Sequence, residues 1–224
     1  MAHYEFLRKL GVFAVPRFLS EEECARWREL ADTSGGVPAR VYEDDRYNLN
    51  EEYRRTLSVT VQDPLEAGTV RRLQELLPAL GAYFGVEIGE MEKVSCLVYR
   101  PGDFFRLHRD VANEPELRKD FRILKRRAVT VVVFLNEPGC AAAAYEGGVL
   151  SLYGLLGTPA ASEFGFAVDA ECGLLVAFRA GTLHEVSPVT GGMRYTLVTW
   201  YLDREPEDRD EHQLDVQTET PRSD

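Results

Sequence analysis

The chain has 224 residues, enough for one well-buried domain, and its 45% hydrophobic and 28% charged residues are the balance of an ordinary soluble globular protein. A formal net charge of −11 argues against general nucleic-acid binding, which needs a basic surface to neutralise phosphates. No stretch reaches the roughly 20 apolar residues of a membrane-crossing helix, and the short patch Gly11–Val15 is cut off by Pro16 and Arg17. That patch is too brief for a secretory leader, so the expected location is the cytoplasm, with no membrane and no nucleic acid among the partners.

Ser20 followed three residues later by Glu23 forms a capping box, which predicts a helix start. Cys24, Trp27, Leu30 and Ala31 then recur at helical spacing, and Ser34-Gly35-Gly36 ends the run. The polar stretch Arg40–Arg55 is expected to be an exposed loop or hairpin, mobile without substrate. A second helix is expected over Pro64–Phe84, with Leu65, Val70, Leu73, Leu76, Leu77 and Leu80 on its apolar side. From Val94 the texture changes to short β-rich runs: Val94–Tyr99, Ala128–Leu135, Gly148–Tyr153, Leu174–Phe178 and Tyr195–Leu202. A charged, helical insertion is expected between Val111 and Arg127, and the polar tail after Asp203 is expected to be mobile.

These elements predict a mainly β protein, a double-stranded β-helix or jelly roll with N-terminal helices packed on one sheet. It reads as a single structural domain: residues 1–93 as helical support and substrate loop, 94–203 as the catalytic core, 204–224 as a polar tail. The four cysteines, Cys24, Cys96, Cys140 and Cys172, contain no C-x-x-C pair and read as buried thiols rather than a zinc or disulfide framework.

Of the four histidines, His3 and His212 lie near the ends, whereas His108 and His184 sit in β-rich sequence. His108-Arg109-Asp110 sets an imidazole and a carboxylate two residues apart, and on an extended segment both can reach one ion. His184 as third ligand completes two histidines and one carboxylate on one face of a metal, leaving positions open for a chelating co-substrate and O₂ on non-haem iron(II). An H-x-D triplet alone is a weak signal. Arg194 stands ten positions after His184, on a run where Arg194, Thr196, Val198 and Trp200 share a face. A guanidinium on an inward face needs an anion, and its planar fork matches a carboxylate. A structural salt bridge is the competing reading.

Taken together, several segments resemble the iron(II)/2-oxoglutarate dioxygenases, and within them the prolyl 4-hydroxylase-like branch. They are Tyr99-Arg100-Pro101-Gly102-Asp103, His108-Arg109-Asp110, Val129–Asn136, Gly147-Gly148, Phe178-Arg179-Ala180, His184–Pro188, Arg194-Tyr195 and Trp200-Tyr201. The resemblance implies iron ligation by His108, Asp110 and His184, and pairing of Arg194 with the distal carboxylate of 2-oxoglutarate. It further implies Tyr99, Thr196 and Trp200 around the co-substrate, and O₂ consumption with ascorbate as a stimulant. Phe134 departs from the pattern, because the oxygen-sensing enzymes carry a tyrosine hydroxyl there. The expected consequence is either weaker binding of 2-oxoglutarate or a substitute donor in Thr130 or Thr196.

The expected reaction is hydroxylation of an unactivated C–H, first of all on a prolyl residue of a protein or peptide. A free amino acid or small metabolite is the alternative substrate. A catalytically silent 2-oxoglutarate sensor and a cupin-like metal-binding protein are the rivals from other classes. Arg40–Arg55, Cys140–Glu146 and Leu156–Glu171 are the expected rim of the substrate site.

Overall fold

The computed structural model describes residues 2–43, 46–112, 122–140, 142–157 and 163–204. Two antiparallel sheets face each other, as expected for a jelly roll. The larger runs in the order Phe13–Val15, Leu175–Arg179, Arg127–Phe134, Arg194–Asp203, Ser95–Tyr99, Leu57–Val59, Val37–Pro38, with Ile88–Met91 pairing against the far end of Arg194–Asp203. The smaller runs Gly165–Ala167, Leu150–Tyr153, Leu183–Val186, Phe104–His108, Arg54–Arg55.

Side chains alternate between two apolar layers because successive residues of a strand point to opposite faces. Along Arg127–Phe134, Val129, Val131 and Val133 join the layer under the helices, whereas Val132 and Phe134 join the layer between the sheets. Along Arg194–Asp203, Tyr195, Leu197 and Tyr201 take the helix side and Val198 and Trp200 the inner side. These two neighbouring strands are covered on both faces, which is why their sequences are nearly continuous apolar runs.

Three helices pack on the outer face of the larger sheet. The first, Glu21–Ser34, carries the expected capping box: Glu23 N–H donates to Ser20 Oγ at 3.2 Å, and Ser20 N–H donates to Glu23 Oε2 at 2.8 Å. Trp27 Nε1 donates to Thr69 Oγ1 (3.2 Å) on the second helix. Tyr195 and Tyr201 reach out of the sheet, their hydroxyls donating to Asp32 Oδ1 (2.7 Å) and to the Leu73 carbonyl (2.6 Å).

The expected single helix over Pro64–Phe84 is two helices, Pro64–Glu75 and Leu77–Phe84. Pro78 in the first turn of the second has no N–H to donate back to the Gln74 carbonyl, and its ring opposes a continuous helix there. A helix over Ala2–Lys9 and the strand Phe13–Val15 were not expected; they bury Leu7, Val12 and Ala14 in the inter-sheet layer. Arg40–Arg55 resolves toward the hairpin, with Val41–Glu43 antiparallel to Arg46–Asn48 and Tyr42 opposite Tyr47. Of the expected helical insertion, Ile123–Arg126 is a helical turn and residues 113–121 lie outside the described residues, as does the tail from 205 on. The expectation for the cysteines needs correcting: Cys24 and Cys96 are buried, but Cys172 is half-buried and Cys140 exposed, because both sit in connections at the sheet ends.

Candidate active site

Cross-strand pairing, not the H-x-D triplet, sets the geometry. Leu183–Val186 pairs antiparallel with Phe104–His108 so that His184 stands directly opposite His108. Their rings lie 4.1 Å apart between centroids. Asp110 is not on the extended strand as the triplet suggested. The strand ends at His108, and Asp110 sits in the following bend, where its N–H donates to the Ala180 carbonyl at 3.0 Å. That bond turns the carboxylate back beneath both rings, at 3.6 Å from His108 Nε2 and 3.4 Å from His184 Nε2. The three donor atoms lie within 4.8 Å of one another.

Each ring is fixed by its other nitrogen. His108 Nδ1 lies 2.7 Å from the Arg106 carbonyl and His184 Nδ1 2.9 Å from the Thr182 carbonyl. A carbonyl only accepts, so each Nδ1 carries a proton, and in the neutral ring that tautomer turns the Nε2 lone pair toward Asp110. Burial lowers His184 to about 4, which keeps its ring neutral near pH 7. Burial alone would raise the Asp110 carboxyl, yet His184, His108 and the Arg127 guanidinium beside it hold it well below the usual carboxylate range. The Nε2 atoms of the two imidazoles and the Asp110 carboxylate therefore converge on one point. A cation satisfies such a set, and two histidines with one carboxylate fit the facial arrangement of non-haem iron. The supports are typical of a metal centre: Thr130 Oγ1 donates to Asp110 Oδ2 (2.7 Å), Phe105 stacks on His108 (3.5 Å, 20°), and Phe178 meets the edge of His184 (4.9 Å).

The triad opens on a cavity of about 370 Å³. Tyr99, Arg194, Thr196 and Trp200 all line it, so the inward face expected for Arg194–Trp200 is the face the sheet presents. Arg194 is 1% exposed, and among the described residues it has no carboxylate within ion-pairing distance. Its guanidinium lies 5.0 Å from the Tyr99 ring and 5.4 Å from the Phe134 ring, and its Nε has no hydrogen-bond partner among the described residues. A buried, unpaired guanidinium calls for an anion in the cavity. Space for its stem comes from Gly148, whose φ of +57° suits glycine and where a Cβ would stand 2.8 Å from Arg194 Cδ.

Two features were not legible in the sequence. Thr130, expected as a possible co-substrate donor, is engaged on Asp110 instead. The hydroxyl near Arg194 comes from Tyr145: burial raises this phenol, and the Arg194 guanidinium facing it works in the opposite direction. Tyr145 is buried but lies in a loop with no periodic signal, so only the fold reveals it.

The 2OG-Fe(II) oxygenase superfamily matches residues 94–202. A PKHD-type hydroxylase of Synechococcus sp. (strain JA-2-3B'a(2-13)) is 35% identical over 127 residues, covering 56% of this chain and 49% of the relative. The chain thus spans about half the length of the first curated relatives it matches. A PKHD-type hydroxylase of Burkholderia cenocepacia is 27% identical over 220 residues, 91% of this chain and 84% of the relative. Among solved structures, a Pseudomonas putida prolyl-4-hydroxylase superposes with a TM-score of 0.65 at 24% identity, covering 91% of this chain and 98% of that one. A Trichoplax adhaerens prolyl hydroxylase bound to a peptide fragment of hypoxia inducible factor gives 0.63 at 20%, covering 96% and 91%. The superfamily match lies over the strands that carry the triad and Arg194, so residues 94–202 form a 2OG-Fe(II) oxygenase superfamily region, and the chain shares the fold of the solved prolyl hydroxylases.

Proposed function

We propose that this protein is an iron(II)- and 2-oxoglutarate-dependent oxygenase that hydroxylates an unactivated C–H, first of all on a prolyl unit of a protein or peptide. The observation that carries the reading is the pairing, in one cavity, of three converging acceptors on His108, Asp110 and His184 with a buried guanidinium on Arg194 that lacks a carboxylate. His108, Asp110 and His184 hold the iron. Arg194 takes the distal carboxylate of 2-oxoglutarate through paired, charge-assisted hydrogen bonds, with Thr196 beside it and Tyr99 and Trp200 as walls. Bound iron supplies the centre at which the 2-oxo acid is oxidatively decarboxylated by O₂, giving succinate, CO₂ and the hydroxylated product.

The chain's own part is to fix geometry and keep water out. Thr130 orients the Asp110 carboxylate, the two backbone carbonyls fix the tautomers of the histidines, and the aromatic faces of Phe105 and Phe178 hold the rings in place. The hairpin Val41–Asn48 contributes Val41, Tyr42 and Tyr47 to the cavity wall, which suits a cover over the substrate. A prolyl substrate is supported by the prolyl hydroxylases among the solved structures that share this fold.

The test is succinate release from 2-oxoglutarate under air with iron(II), screened against proline-containing peptides and free amino acids. Substrate-dependent succinate with a matching hydroxylated product is expected. Tight 2-oxoglutarate binding with no turnover on any member of the panel would favour a silent sensor instead.

A further inference from the structure

Arg194 is not the only cation of the cavity. Five arginines line it, against a single carboxylate, Asp110, among the described residues. This is a local reversal of sign in a chain of net charge −11. Three of the five are accounted for. Arg127 makes a two-pronged ion pair with Glu92 (2.6 and 2.9 Å) and stacks on Trp200 at 3.6 Å. Arg109 donates to the Gly181 carbonyl, and Arg40 is exposed. Arg194 has its anion in the co-substrate.

Arg54 remains. It lies on the short edge strand Arg54–Arg55, directly opposite Phe105. Its guanidinium sits over the Phe105 ring at 4.4 Å, and that ring in turn stacks on His108, so a positive charge is held one aromatic layer from the metal centre. Among the described residues its enclosed Nε has no partner, and the one hydrogen bond of its guanidinium is a long one, 3.4 Å, from Nη1 to the Arg40 carbonyl. Burial lowers its pKa, the mark of a charge taken from water without full compensation. Leaving a guanidinium in this state is costly unless an anion completes it.

The co-substrate has no group left to supply that anion. One end of 2-oxoglutarate goes to the metal and its distal carboxylate to Arg194, on the other sheet from Arg54. A second guanidinium on the opposite wall, beside the covering hairpin, therefore faces the space left for the prime substrate. We propose that Arg54 is a specificity-determining residue that receives a carboxylate of the substrate, so that the proline-like unit entering the site carries a free carboxylate close to the carbon that is hydroxylated. The proposal rests on the oxygenase reading above and narrows its substrate to an acid, as a free amino acid or as the C-terminal residue of a peptide.

The experiment uses the full chain loaded with iron(II) and 2-oxoglutarate, and two pairs of probes: L-proline with L-prolinamide, and glycyl-L-proline with its C-terminal amide. Binding is read anaerobically by calorimetry and turnover aerobically by succinate and hydroxylated product. The acid of at least one pair is expected to bind at least tenfold more tightly than its amide. A preference confined to the first pair assigns a free amino acid, and one seen in the second assigns a peptide terminus. Arg54→Gln should weaken the acid by roughly 30-fold or more and leave the amide within about twofold, which erases the preference. Arg54→Lys, which keeps the charge but not the fork, should recover part of it.

Calorimetric affinity for 2-oxoglutarate should be the same in wild type and Arg54→Gln. That shared value also reports that the variant is folded. A preference for neither acid in the wild type overturns the proposal. So does an Arg54→Gln variant that loses 2-oxoglutarate instead, since Arg54 would then be a second clamp on the co-substrate. Wild-type protein that binds neither iron(II) nor 2-oxoglutarate refutes the oxygenase reading, and an acid preference lost in Arg54→Gln would still support an anion site at Arg54.

Discussion

Replacing Arg194 by alanine isolates the co-substrate from the metal. In the structure this side chain is 1% exposed, spans the gap beside Gly148 and faces the rings of Tyr99 and Phe134, with no carboxylate partner among the described residues. On the proposed reading its partner is the distal carboxylate of 2-oxoglutarate, which loses its counter-charge when Arg194 is removed. Loss of one member of a buried charge pair costs about 2–5 kcal/mol, which is roughly 30-fold to several-thousand-fold in affinity. The Tyr145 hydroxyl facing Arg194 carries no positive charge, so it cannot replace the ion pair that the substitution removes. Arg194→Ala is expected to raise the KM and calorimetric Kd for 2-oxoglutarate by at least 30-fold, while iron(II) affinity stays near wild type because none of the three candidate donors is touched. Arg194→Lys should fall between the two. Unchanged 2-oxoglutarate affinity in Arg194→Ala would refute the assignment, and equal loss of iron and 2-oxoglutarate would mean that the side chain holds the fold.

Thr130→Val removes the hydroxyl that orients Asp110 at 2.7 Å and is expected to lower iron(II) affinity roughly 10- to 100-fold at unchanged 2-oxoglutarate affinity in the metal-loaded protein, measured by metal titration. Gly148→Ala places a Cβ at φ +57°, 2.8 Å from Arg194 Cδ and 2.9 Å from Val189 Cγ2; strain of about 1–2 kcal/mol from the backbone alone should lower the urea midpoint, and displacement of Arg194 should raise the KM for 2-oxoglutarate. Glu23 gives a pH signature: burial raises its pKa, but the Ser20 N–H and the Arg72 guanidinium at 2.7 Å outweigh this and lower it below 4.5. A depressed folded pKa means that the unfolded chain takes up the proton first, so this stabilisation is complete above the ordinary glutamate range and is lost as pH falls through the folded value. The gap in urea midpoint between wild type and Glu23→Gln should be widest near pH 7 and close in acid; a gap independent of pH would contradict it.

What the sequence determined by itself is what short-range patterns encode. The helix start at Ser20 follows from a capping box within four residues. The two neighbouring strands of the larger sheet, covered on both faces, follow from long apolar runs whose period of two also fixed Arg194, Thr196, Val198 and Trp200 to one face. The break before Leu77 is equally local, at Pro78, yet the apolar period ran across it and the segment read as one helix. Strands of three or four residues, such as Leu183–Val186 and Gly165–Ala167, are too short to display alternation and escaped notice. Tertiary structure decided everything that depends on which strands become neighbours. The register that sets His184 against His108, the Ala180 carbonyl that bends Asp110 under both rings, and Thr130 on its carboxylate each join residues distant in the chain. So do Tyr145 beside Arg194 and Arg54 over Phe105. A period of two states which face a side chain takes but not what stands across from it, and a lone arginine reads as surface charge until the fold buries it without a partner.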